Sequence, residues 1–218
     1  MDSRKYLAEL IGTFILVVAG SMSIVAANAM QVPVLLVAPF GFGLALLAAI
    51  QVSGHVSGGH FNPAVTLGAF LDRRIDATNA VAYVVAQVVG AIAASGVVLL
   101  FANQAAVQST ASGFADGKAA VAFGTEILLT AIFLVVILTV TKRAPGQAAF
   151  VIPLTLVMIH FAGIPFSGAS VNPARSLAPA LVGGALDASI LIWIAGPLIG
   201  AAIGWAAHRA LDEGTAPD

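Results

Sequence analysis

Residues Ser57–Thr66 read SGGHFNPAVT, and residues Ser167–Ser176 read SGASVNPARS. Both place Asn-Pro-Ala behind a Ser-Gly pair, with Asn62 and Asn172 standing 110 positions apart. Asn is a strong helix N-cap, and Pro suits the first helical turn, where a backbone N–H has no intrahelical partner anyway. Each stretch therefore predicts the start of a short helix, over about 62–70 and about 172–182. One isolated Asn-Pro-Ala is an ordinary turn or cap. Two copies in a shared SGxxxNPA frame point to a repeat with a purpose.

The surroundings are apolar. The 218 residues are 60% hydrophobic and 9% charged, with a mean hydropathy of +1.02, far from the makeup of soluble domains. Residues 10–71, 77–115, 144–174 and 188–208 contain no Asp, Glu, Lys or Arg, and each run meets the roughly 20 residues that one membrane helix needs. The fold class expected is an all-α polytopic membrane protein, with spans at about 5–28, 33–53, 79–102, 119–141, 148–163 and 188–208. The first apolar segment is too long for a signal-peptide core and is expected to remain as a span. Segments 54–72 and 164–187 are too apolar for ordinary loops and too short to cross, so they read as re-entrant.

The two halves match. AELIGTF at 8–14 answers TEILLTA at 125–131, pairing Glu9 and Thr13 with Glu126 and Thr130. Asn62 to Gly90 and Asn172 to Gly200 span equal lengths. Three spans per half is an odd number, so the second copy enters the membrane inverted. The expected layout is one transmembrane domain: a first repeat over about 5–102, an extracellular connection over about 103–118, a second repeat over about 119–208, and a tail at 209–218. A cytoplasmic N-terminus puts Arg4, Lys5, Arg73, Arg74, Lys142, Arg143 and Arg209 on that side, with only Lys118 and Arg175 elsewhere. Basic residues favour the cytoplasmic side, so both termini are expected there.

Two half-helices entering from opposite faces would meet N-terminus to N-terminus, placing two partial positive charges and two Asn amides at the midplane. That arrangement repels cations. Irregular backbone at membrane depth survives only inside protein or along a watery cavity. The carbonyls of Gly58, Gly59, His60, Phe61, Gly168, Ala169, Ser170 and Val171 are therefore expected to line a path, with His60 also supporting its loop. Arg175, a charge inside the membrane, is expected to face that path. Glu9 and Glu126 recur at the same place in both halves and are expected to accept hydrogen bonds from the re-entrant backbones. Small residues at Gly196, Gly200, Gly204, Gly90 and Ala94 suit close helix packing, through which the half-helices could approach the bundle.

Other chemistries lack their residues. There are no cysteines, hence no disulfide and no thiolate ligand. No nucleophile–base pair or metal-ligand cluster is recognisable, so no enzyme, cofactor or metal is expected. A net charge of -1 offers no nucleic-acid footprint.

GGHFNPAVT and SVNPARS, within six spans and with Glu near the start of each half, resemble the aquaporin (major intrinsic protein) family, in its prokaryotic water-selective form. The resemblance covers about 5–208. It implies single-file passage of water down an osmotic gradient with exclusion of protons and ions. It also implies a homotetramer with one pore per subunit, embedded in the lipid bilayer of the cell (inner) membrane. Carried over by position, it implies that Asn62, Pro63, Ala64, Asn172, Pro173 and Ala174 form the pore centre. A selectivity filter would consist of Phe42, His160, Ala169 and Arg175. Ala169 stands where the family leads one to expect Thr or Cys, which implies a slightly wider and less polar opening. Trp193 and Ile194 stand where an aromatic followed by Trp is common. The glycerol-conducting branch typically continues NPARD and has Gly at the filter His; here Ser176 follows Arg175 and His160 is present. A broader facilitator of small neutral solutes such as glycerol or ammonia stays open. A secondary transporter with broken helices would need several polar or acidic residues at the midplane, where this sequence offers only Glu9 and Glu126.

Overall fold

The computed structural model describes residues 2–213, and its described residues contain helices and no strand. Helix α1 (Ser3–Ala29) starts at Asp2, whose side chain accepts from the Arg4 N–H at 3.1 Å. Helix α2 (Val34–Ala49) continues through a π-helical stretch, Ile50–Gly54, into the single turn α3 (His55–Ser57). The first half-helix is α4 (Pro63–Leu71), followed by α5 (Ala77–Phe101) and a short surface helix α6 (Gln104–Ser109). The second half comprises α7 (Ala119–Arg143), α8 (Pro145–Ser167), the half-helix α9 (Pro173–Val182) and α10 (Ile190–Glu213).

Six of these segments are long and apolar enough to cross a bilayer. Their outer surfaces carry exposed Leu36, Phe40 and Leu44 on α2 and Phe150, Leu154 and Met158 on α8, the dress of a hydrocarbon-facing wall. The chain is an integral membrane protein.

Boundaries differ from the sequence expectation in three places. Span five runs Pro145–Ser167 rather than 148–163, with Pro153 and Pro165 inside the helix; it ends at Gly168, whose φ is 74°. Span two extends to Ser57, so the irregular backbone of the first re-entrant segment shrinks to the few residues before Asn62. The connection expected as plain loop contains α6, capped by Asn103 through its bond from the Ala106 N–H at 2.9 Å.

Inverted repetition is visible in the packing. Helix α1 packs on α2 and α5 as α7 packs on α8 and α10, and the halves join where α2 meets α8. A Cβ on Gly90 would stand 2.4 Å from the Leu10 carbonyl oxygen, and one on Gly200 would stand 2.4 Å from the Ile127 carbonyl oxygen. These glycines thus bring α5 onto α1 and α10 onto α7. These two glycines join full spans, and the half-helices also approach the bundle closely, α9 packing Ala174 and Ala178 against Ala91 and Ala94 of α5.

Half-helix α4 runs toward the face where α7 ends, since Arg74 beyond it reaches Thr141 and the Leu138 carbonyl. Half-helix α9 runs the other way, and the Gly183 carbonyl at its end accepts from Gln104 and Gln108 of α6.

Candidate functional site

The half-helices meet through their caps. Asn62 is extended (φ -160°) and accepts from the Ala64 N–H at 2.8 Å; Asn172 (φ -149°) accepts from Ala174 and Arg175 at 3.1 and 3.3 Å. Each side-chain oxygen thereby satisfies first-turn N–H groups that the helix itself cannot. The amide nitrogens then cross the junction. Asn62 Nδ2 donates to the Val171 carbonyl at 2.7 Å, and Asn172 Nδ2 donates to the Phe61 carbonyl at 3.0 Å. Each half-helix is fastened to the residue that introduces the other. An amide nitrogen carries two hydrogens, so each Asn keeps a second N–H beyond this bond.

Before each cap the backbone is left-handed at matching places: Gly58, Gly59 and Phe61 (φ 91°, 70° and 49°) and Gly168, Ala169 and Val171 (φ 74°, 47° and 45°). Non-glycine residues adopt this region reluctantly, and two buried carboxylates hold it. Glu9, fully buried, accepts from Ser57 Oγ at 2.6 Å, His60 N at 2.9 Å, Phe61 N at 2.7 Å and Gln87 Nε2 at 2.7 Å. Glu126, also fully buried, accepts from Ser167 Oγ at 2.7 Å and from Ser170 N and Val171 N at 2.8 Å each. A buried charge is tolerable when its oxygens are saturated by donors in this way. The Ser57 and Ser167 carbonyls are pinned in turn, by Tyr83 OH and Trp193 Nε1, each at 2.8 Å.

Beside this junction runs a cavity of about 360 Å³, lined by apolar Leu16, Val65, Phe133 and Leu156 and by Asn62, Asn172, Gly58, Gly59 and His60. At one end Phe42, His160 and Arg175 come together. The Phe42 and His160 rings stack at 4.9 Å between centroids, 13° from parallel, and the Arg175 guanidinium carbon lies 4.9 Å from the Phe42 centroid, within cation–π range. His160 Nδ1 lies 2.9 Å from the Leu156 carbonyl. A carbonyl only accepts, so that nitrogen carries the hydrogen, and Nε2 is an acceptor in the neutral ring. Arg175 Nη1 donates to Ser112 Oγ at 2.8 Å, and Ser112 shares a 2.7 Å hydrogen bond with Ser176. Among the described residues, His160 Nε2 and Arg175 Nε have no hydrogen-bond partner.

Of the residues singled out from sequence, the cavity lining includes Phe42, His160, Arg175, Asn62, Asn172, Gly58, Gly59, His60, Ser170 and Val171. Phe61, Gly168 and Ala169 are not in it. Phe61 has no accessible surface; its carbonyl is taken by Asn172 and its ring occupies the space beside Gly12. Ala169 has none either, and its Cβ faces Gly163 of α8. Gly168 packs against Ser112 and Gly113. Pro63, Pro173, Ala64 and Ala174 form the first turns of the half-helices and are buried. Sequence reading missed Tyr83, the bond that Trp193 makes to the Ser167 carbonyl, and Ser112. Tyr83 and Trp193 stand 110 positions apart, the offset of the Asn residues, yet differ in type and so leave no repeat signal.

Residues 1–208 match the family described as Major intrinsic protein. Glycerol uptake facilitator protein-like 6 of Lactiplantibacillus plantarum is 40% identical to this chain, covering 91% of it and 93% of that relative. Aquaporin Z of Rhodopseudomonas palustris is 42% identical, with 97% and 94% covered. Among solved structures, the aquaglyceroporin from Plasmodium falciparum superposes with a TM-score of 0.82 at 23% identity, covering 98% of this chain and 96% of its own. That last likeness concerns the fold.

Proposed function

The chain belongs to the major intrinsic protein family, a family of passive channels rather than enzymes, and from that premise we propose that it conducts water in single file while excluding protons and ions. The contact of Phe42, His160 and Arg175 at one end of the cavity is the observation that carries this reading. An apolar ring in contact with a fixed cation and a histidine acceptor suits a small molecule that both donates and accepts. In this reading water gives up most of its neighbours to enter, accepts from Arg175 Nε, and donates to His160 Nε2 and the loop carbonyls.

The Asn pair supplies the second element. Each Asn has one amide hydrogen engaged across the junction, leaving a donor for the passing water oxygen. Two donors at one level turn a water's own hydrogens outward, which interrupts a proton-conducting chain. The N-termini of α4 and α9 add partial positive charge of about half a unit each, which opposes cations.

The relatives divide between aquaporin and glycerol-facilitator names, which favours a second reading as a channel for small neutral solutes more broadly. Parallel stopped-flow measurements of water and glycerol flux in proteoliposomes separate the two. Fast water exit with glycerol entry at the protein-free rate supports water selectivity; glycerol entry well above that rate supports the broader channel. We further propose residence in the cell membrane, both termini cytoplasmic, and a homotetramer, which the mass of the detergent-solubilised assembly would test.

A further inference from the structure

We propose that Arg74 is a second specificity-determining residue, a fixed cation at the end of the cavity opposite the Phe42–His160–Arg175 cluster. Arg74 follows α4, and its backbone N–H closes that half-helix on the Ala69 carbonyl at 2.9 Å. Its guanidinium is held at every nitrogen: Nε donates to Asp72 Oδ2 at 2.7 Å, Nη1 to Thr141 Oγ1 at 2.6 Å, and Nη2 to the Leu138 carbonyl at 2.9 Å. Thr141 is itself anchored on the Ile137 carbonyl at 2.6 Å. A planar fork engaged on three sides has little freedom to swing away.

The same cavity touches both arginines. Arg74, Thr141 and Leu138 line it together with Arg175, whereas Asp72 does not. The Arg74–Asp72 pair therefore turns its positive member toward the lumen. Arg74 and Arg175 supply all the charge of the lining, which includes no Asp or Glu; Glu9 and Glu126 lie behind the loops with no accessible surface.

Position explains why a cation is needed there. The C-terminal end of α4 carries the negative pole of its dipole, and unopposed it would gather cations at this mouth. Arg74 sits beside that pole and, with Asp72 outside the lining, offsets it on the lumen side. A cation passing along the cavity from this side meets Arg74 before the half-helix N-termini and Arg175.

This inference rests on the cavity being the conduction path. The test uses full-length protein in proteoliposomes, reading proton and sodium flux beside water flux. Arg74→Met and Arg74→Lys are each combined with Arg175→Ala, which removes the opposite charge. Cation leak in the Arg74→Met double variant is expected to exceed that of Arg175→Ala alone on the order of tenfold, the low end of what a charge-lined cleft does to local ion concentration. The Arg74→Lys double variant, which keeps the charge without the fork, is expected to match Arg175→Ala. Equal leak with and without Arg74→Met, or equal leak from Met and Lys, overturns the proposal. As a second measurement in an otherwise unaltered chain, Arg74→Glu should make water flux sensitive to tetramethylammonium present on both sides. Insensitivity would place the side chain off the path and overturn the proposal too. If wild-type vesicles conduct no water, the pore reading fails; if they conduct and the Arg74 variants behave as wild type, only this inference fails.

Discussion

The side-chain amide of Asn62 donates to the Val171 carbonyl at 2.7 Å, so the cap of one half-helix is tied to the residue that introduces the other. The reciprocal bond from Asn172 to Phe61 makes the junction two-fold. Neither short helix, of nine and ten residues, would persist alone in water; the cross-bonds and the buried carboxylates set their mutual position.

Asn62→Ala removes both the cap and the cross-bond and leaves the Val171 carbonyl without this buried donor. A destabilisation of about 1–3 kcal/mol is expected, together with loss of water flux as the loops shift. Thermal unfolding in detergent measures the first effect. A melting temperature equal to wild type would mean that the junction does not depend on this amide.

Glu9→Gln and Glu126→Gln each replace an acceptor oxygen with an NH2 group facing a donor. Glu9 receives four hydrogen bonds and Glu126 three. Both variants should lose roughly 1–3 kcal/mol or more for the orphaned donors, with the Glu9 variant the less stable of the two. A neutral effect at either site would contradict the support assigned to it.

Much of the architecture was readable because it rests on local chemistry repeated at a fixed offset. Asn-Pro at 62 and 172 encodes a cap and a first turn within two residues, and Glu9 and Glu126 repeat at equivalent starts. The cross-bonds were not readable, since an Asn side chain carries no record of a carbonyl more than a hundred residues away. The end of span five was missed because Pro165 usually breaks a helix, yet here it lies in the last turns. For Ala169 the resemblance implies a place in the filter, and its methyl lies toward Gly163 of α8, a contact that the sequence does not announce.

Ala169→Thr tests that placement. Ala169 has a φ of 47° and no accessible surface, so a β-branched residue meets both backbone strain and a filled space. The expected result is a stability loss of about 1–3 kcal/mol, with the ratio of water to glycerol flux unchanged among molecules that fold. A selective fall in glycerol flux would return Ala169 to the opening.

His160→Gly removes the ring stacked on Phe42 and opens space at that end of the cavity. Glycerol entry in proteoliposomes should rise while water flux persists. Unchanged glycerol exclusion would locate the size limit elsewhere along the path.

Arg175→Ala removes the fixed charge beside Phe42 and His160. Water flux should be retained, and proton or small-ion flux should appear, read with a pH-sensitive dye inside the vesicles. Unaltered proton exclusion in a well-folded variant would assign that duty to the half-helix termini and Arg74 together.

The central claim is that this chain is a passive water path closed to protons. Its most direct test is the osmotic shrinkage rate of wild-type proteoliposomes, recorded together with internal pH and repeated with and without a sodium gradient. The expected result is shrinkage well above that of protein-free vesicles, indifferent to sodium, with no added proton entry. Shrinkage no faster than in protein-free vesicles, or faster shrinkage that requires a sodium gradient or brings protons with it, would contradict the claim.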